Sequence, residues 1–161
     1  MAGDDIFQTL CMEGNLSKAK RRLRAHPTID VGADNDVAFM TACENGHLAV
    51  ARWVLHVNPT LVHNVNYECA FQLACSRGHI TVARWLLNVT PVDCEYVTYE
   101  YAFQLACSSG HIIVARWLLL NAPSLNYDYI HSFRMACARG HIAVARWLLS
   151  VNRDIDQSTV I

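Results

Sequence analysis

Ala70 to Leu87 reads AFQLACSRGHITVARWLL, and Ala102 to Leu119 reads AFQLACSSGHIIVARWLL; 16 of the 18 letters agree. Repetition on this scale points to one supersecondary unit copied in tandem, with each copy burying its apolar face against the next. Ala38–Leu55, AFMTACENGHLAVARWVL, and Ser132–Leu149, SFRMACARGHIAVARWLL, follow the same lettering. A degenerate copy, IFQTLCMEGNLSKAKRRL, begins at Ile6. The central glycines are Gly14, Gly46, Gly78, Gly110 and Gly140, spaced 32, 32, 32 and 30.

The register extends to whole residue classes. All five phenylalanines (Phe7, Phe39, Phe71, Phe103, Phe133) hold one repeat position, and all four tryptophans (Trp53, Trp85, Trp117, Trp147) hold another. All four prolines (Pro27, Pro59, Pro91, Pro123) hold a third, and the last connector is two residues short after Pro123. Within a copy, Phe71, Ala74 and Cys75 lie at i, i+3 and i+4, one face of a short helix. Beyond the glycine, Ile80, Val82, Ala83, Leu86 and Leu87 mark a second, more apolar helix. The glycine suits the left-handed turn that ends the first helix, and the proline after the second bars its continuation. Helices this short do not persist alone, so stability must come from stacking one hairpin on the next.

The segments GHLAVARWVL, GHITVARWLL, GHIIVARWLL and GHIAVARWLL resemble the second helix of ankyrin repeats, and the A-C-x-x-G-H segments resemble the end of their first. The likeness covers five units from Ile6 to Leu149, and its lettering resembles ankyrin proteins of large DNA viruses of amoebae. It implies an all-α ankyrin-repeat solenoid of five stacked helix-turn-helix units with projecting loops, used to bind other proteins. We expect one domain over residues 1–161, with units about 6–37, 38–69, 70–101, 102–131 and 132–161, the first a polar N-terminal cap. The family's T-P-L-H opening and its G-A-D-V-N turn are missing, so irregular loops are expected in place of β-hairpin fingers.

Composition bounds the function. Of 161 residues, 53% are hydrophobic and 17% charged, which excludes a disordered chain. A net charge of -1 supplies no bulk field for nucleic acid or an anionic membrane. No run of about 18 apolar residues suggests a membrane span. The opening MAGDDIFQTL lacks the basic and apolar regions of an export signal, and seven cysteines without a CxxC suit reduced thiols. A cytoplasmic protein is the expectation.

Chemistry finds little footing. The pairs Cys43-His47, Cys75-His79, Cys107-His111 and Cys137-His141 invite a metal, but each repeat offers two ligands and stacking separates repeats by about 10 Å. Buried cysteines, and histidines bonding the turn between helices, account for them without a metal. No nucleophile, base and orienting group assemble, and no glycine-rich phosphate loop is present. Neither an enzyme, a metal, a cofactor nor a small-molecule substrate is expected.

The connectors Arg24–Val37, His56–Cys69, Asn88–Tyr101 and Leu120–His131 hold all six tyrosines and eight of the 14 acidic residues. Tyrosine gives contact area at low entropic cost, and acidic loops would steer a basic protein partner. The expected partner-binding residues are Tyr96, Tyr101, Tyr127, Asp34, Asp36, Glu68, Glu100 and Asp128. Glu44, Arg77 and Arg139, on the first-helix face before the pivot glycines, complete the set. Tyr67, Tyr99 and Tyr129 share one repeat position and are expected to pack at least partly against the first helix. The alternative is a polyanion or nucleic acid held by the stripe Arg52, Arg84, Arg116 and Arg146, which otherwise reads as a solvated face. A monomer is favoured. The last unit keeps its apolar Trp147, Leu148 and Leu149, so either the tail folds over it through Ile155, Val160 and Ile161 or a second copy covers it.

Overall fold

Each copy of the repeat folds as two antiparallel helices hinged at its glycine. The computed structural model describes residues 5–63, 65–89, 99–123, 125–152 and 155. Among these, ten α-helices and one 3₁₀ turn occur and no strand. The first helices of the repeats are α1 (Asp5–Met12), α3 (Ala33–Glu44), α5 (Val65–Ser76), α7 (Tyr99–Ser108) and α9 (Tyr129–Ala138). The second helices are α2 (Leu16–Ala25), α4 (Leu48–Val57), α6 (Ile80–Val89), α8 (Ile112–Asn121) and α10 (Ile142–Val151). Every pivot glycine takes positive φ, between 74° and 84°, and so closes the first helix with the turn that a side chain would oppose.

The chain forms two compact bodies: residues 1–74 with 81–97, and residues 75–80 with 98–161. In the first, α1 packs on α2 and α3, and α3 on α4. In the second, α7 packs on α8 and α9, and α10 on both α8 and α9. The repeat positions singled out by sequence fill these cores. Phe7, Phe39, Phe71, Phe103 and Phe133 are all buried, as are Trp85, Trp117 and Trp147. The aromatics interlock from one repeat to the next: Phe7 meets Trp53 edge-on at 6.0 Å between ring centroids, Phe39 meets Trp85 at 6.4 Å, and Phe103 meets Trp147 at 6.2 Å. Such pairs add about 0.5–1.5 kcal/mol each beyond the area they bury.

His47, His111 and His141, each following a pivot glycine, bridge repeats as well. Each stands at the N-cap of a second helix, α4, α8 or α10, yet its side chain makes no capping bond there. Instead the ring lies on the pivot glycine of the preceding repeat. A Cβ at Gly14 would fall 2.5 Å from Nδ1 of His47, and one at Gly78 would fall 2.5 Å from Nδ1 of His111. In the first of the five repeats, Asn15 takes the place of histidine and caps α2 by accepting from the Lys18 backbone N–H at 3.3 Å.

The connectors correct one expectation. Their C-terminal halves are helical rather than loop: α5 begins at Val65 and α7 at Tyr99, so Glu68, Glu100 and Tyr101 stand on first helices. Between Pro59 and His63 the chain makes a 3₁₀ turn that buries Leu61. The connector into α3 holds three successive residues in the left-handed region, Asp34, Asn35 and Asp36, with φ of 54°, 60° and 61°. Asn and Asp tolerate that region better than other side chains with a Cβ.

Candidate functional site

Burial separates the sequence-predicted contact residues into three groups. Tyr127 and Asp36 are core. Tyr127 is 3% exposed, its ring centroid is 4.6 Å from that of Phe103, and its hydroxyl donates to the Leu118 carbonyl at 3.3 Å. Tyr67 also packs on the phenylalanine of the preceding repeat, Phe39, at 5.9 Å, but its hydroxyl donates forward, to the Leu86 carbonyl at 2.7 Å, whereas Tyr127 donates back to Leu118. The expectation that Tyr127 contacts a partner is therefore wrong: the shortened connector pulls this out-of-register tyrosine into the core. Burial pushes its hydroxyl up to about 12, helped by the negative charges that Tyr129, Tyr99 and Glu100 can carry. Asp36, 4% exposed, accepts from Asn66 Nδ2 at 2.9 Å and is likewise no contact residue.

A second group has structural work at the surface. Asp128 caps α9 by accepting from the His131 backbone N–H at 2.8 Å. Asp34 accepts from Gln8 Nε2 at 2.7 Å, tying the left-handed turn to α1. Glu68 accepts from Gln72 at 2.8 Å. Arg139 donates through Nη1 to the Ser108 carbonyl at 3.2 Å, meeting a C-terminal carbonyl of α7 where a cation is favourable. Asp34, Asp128 and Arg139 remain exposed while so engaged.

The third group is presented outward. Tyr101 is 50% exposed, beside the exposed Glu100. Arg77 is exposed at the turn after α5, and Glu44 is half-buried at the end of α3. Tyr96 lies outside the described residues. In the first body, Asp5, Gln8, Thr9, Met12, Val37 and Thr41 line a depression of about 310 Å³ between α1 and α3. Of these only the helix register is legible in the sequence; the depression itself depends on how the two first helices are spaced.

The Cys-His pairs do not converge. Cys11, Cys43, Cys75 and Cys107 are buried, and burial alone raises each thiol, to about 12 for Cys11, Cys75 and Cys107. They are thiols in the core, not thiolates poised to ligate. No group of three or more His, Cys, Asp and Glu among the described residues could hold a metal ion. Two arginines of the stripe are engaged with neighbouring rings. Arg52 lies over the Trp85 ring at 5.9 Å and Arg116 over the Trp147 ring at 5.7 Å, each reaching the tryptophan of the following repeat. No described helix is long and apolar enough to cross a membrane.

A sequence model described as ankyrin repeats (3 copies) matches residues 39–129 and 71–159, most of the chain. The chain belongs to the ankyrin-repeat family. The fold agrees: the solved human ASB11 ankyrin repeat domain is similar with a TM-score of 0.65 at 18% identity, over 92% of this chain and 70% of that one. No curated protein matches the sequence. The architecture is all-α, of the ankyrin-repeat solenoid class. Ankyrin repeats generally mediate protein–protein interaction, and ankyrin-repeat proteins are generally non-catalytic interaction modules.

Proposed function

We propose that this ankyrin-repeat chain is a cytoplasmic, monomeric binding module that grips a protein partner through the outward face of its first helices and the acidic turns leading into them. Tyr101 carries the proposal. Among the described tyrosines it is the one that the packing leaves half in solvent, at 50% exposure, and its neighbour Glu100 is exposed with it. An aromatic ring that contributes little to the core, next to a carboxylate, is the kind of side chain around which binding energy concentrates. In the first body the depression between α1 and α3, bordered by Asp5 and by Gln8, which Asp34 holds, offers a recess of its own. Carboxylates at these places favour a partner with a basic segment.

The alternative, a polyanion on the arginine stripe, is weaker. The guanidinium faces of Arg52 and Arg116 are already stacked on tryptophan, and a phosphate would have to compete with those rings.

The test is affinity capture with the wild-type chain, identification of the retained protein by mass spectrometry, and titration of that protein against variants. Tyr101→Ala with Glu100→Lys should weaken binding at least about tenfold, about 1.4 kcal/mol, while circular dichroism stays unchanged. Arg52→Ala with Arg116→Ala should leave it intact. The reverse pattern, or capture of nucleic acid in place of protein, overturns the reading.

A further inference from the structure

We propose that the first repeat carries a second, separate recognition site: a basic-rimmed apolar pocket that receives an acidic partner segment inserting one large apolar side chain. The pocket lies within the first body and measures about 480 Å³, inside the range of about 300–1,000 Å³ typical of ligand sites. Leu23, Ile29, Trp53 and Val57 supply apolar wall, and Lys20 and Arg24 supply charge. No acidic side chain is among its lining residues.

The pocket exists because the repeat pattern changes here. Lys20 holds the position of Arg52 and Arg116, whose guanidiniums cover Trp85 and Trp147. Trp85, Trp117 and Trp147 are 9%, 9% and 8% exposed, whereas Trp53 is only half-buried. An ammonium on a flexible stem lacks the planar group that stacks on indole, so the ring is left accessible. The change is not explained by the helix end alone. Arg22 and Arg24 both stand in the last turn of α2, where a cation is favourable, but only Arg22 is engaged there, meeting the ring of His26 at 2.9 Å. The side chains of Lys20 and Arg24 have no hydrogen-bond or ion-pair partner among the described residues. One helix turn apart, they stand on the same side of α2 and face the same recess.

The chemistry of the lining selects the occupant. Two unpaired cations beside an indole and three aliphatic side chains match a carboxylate-bearing segment with a bulky hydrophobic residue. A nucleic acid would find a concave wall of Leu23, Ile29 and Val57, with little surface for stacking a base. This site has the opposite charge preference to the first-helix face, so the two readings stand or fall separately.

Selection of a displayed library of short random peptides on the full chain tests it. Peptides dependent on the pocket should carry Phe, Leu or Trp flanked by Asp or Glu. They should bind Lys20→Glu with Arg24→Glu at least about tenfold more weakly. Val57→Glu, at a side chain already 40% exposed, places a carboxylate in the pocket without touching the cations and should reduce binding to a similar degree. Melting curves establish that both variants fold. Tyr101→Ala should leave these peptides bound. Selected peptides that lack acidic residues, that bind both variants as well as wild type, or that are displaced by a single-stranded oligonucleotide would overturn the proposal.

Discussion

His141 lies against Gly110, so that a methyl group on the glycine would stand 2.7 Å from the ring's Nδ1. Two demands meet at this position. The backbone needs φ of +84°, and the ring of the next repeat needs the space a Cβ would fill. Gly140 has the first demand, with φ of +75°, and not the second, since nothing among the described residues lies within 4 Å.

The two effects are separable by substitution. Gly140→Ala should cost about 1–2 kcal/mol, the penalty of the left-handed conformation. Gly110→Ala should cost more, because the histidine must also move. Combining Gly110→Ala with His141→Ala should bring the loss from the glycine change back toward that of Gly140→Ala. Urea unfolding of the variants measures each difference, and equal losses for the two single glycine changes would refute the contact.

Tyr127 should behave as core and Tyr101 as surface. Tyr127→Phe forfeits a hydrogen bond worth about 1 kcal/mol, and Tyr127→Ala should lose about 3–5 kcal/mol through the cavity it leaves. Tyr101→Ala should change stability by less than about 0.5 kcal/mol. Thermal melts rank the three, and a spectrophotometric titration should lose a tyrosine that ionises above the ordinary range when Tyr127 becomes Phe.

Ser132 is a fault at a position that holds alanine in three of the other four copies and Ile6 in the first. Ala38, Ala70 and Ala102 hold the same place in earlier repeats, and Ser132 is fully buried with its hydroxyl unpartnered among the described residues. Ser132→Ala should therefore stabilise the chain, by about 1 kcal/mol, because the unfolded state hydrates the hydroxyl and the folded state does not. A higher urea midpoint at unchanged slope is the expected observation.

Arg116 and Arg146 provide a matched pair. Arg116 has the following Trp147 to stack on, whereas no repeat follows Arg146 among the described residues. Arg116→Ala should cost about 0.5–1 kcal/mol and alter Trp147 fluorescence; Arg146→Ala should do neither. Equal effects would show that the stacking contributes nothing.

Stability should fall in acid partly through His111. Its ring is held below the ordinary value of 6.5, first by burial and then by the charges of His79 and His141, against a hydrogen bond with the Ser76 backbone that raises it. The unfolded chain then binds a proton more readily than the folded one. The contribution is fully present above pH 6.5 and is lost as pH falls below it toward the lowered folded value. Melting temperatures at about pH 7.5 and about pH 5.5 should differ, and His111→Asn should narrow the difference.

Much of this was legible in the letters. The fixed positions of Phe, Trp and Gly predict the interlocked helix pairs, because a letter kept at a fixed interval serves the same packing role in each copy. Tyr127 was not legible. Its register places it two residues before Tyr129, and only the three-dimensional path of the short connector brings it onto Phe103. Asp36 misled for a different reason. Its burial depends on three left-handed residues in a row and on Asn66 thirty positions later, neither of which has a local signature. The connector acids Glu68 and Glu100 looked like loop residues because the framework's periodicity begins after them, while the helices begin before them.

The histidine seated on its predecessor's glycine works as plug and socket in one dipeptide. A gene that copies such a segment in frame yields an extra module whose two ends already match whatever flanks it. Lengthening by duplication then demands no refitting at the joint, and the newcomer is free to diverge elsewhere while it goes on docking.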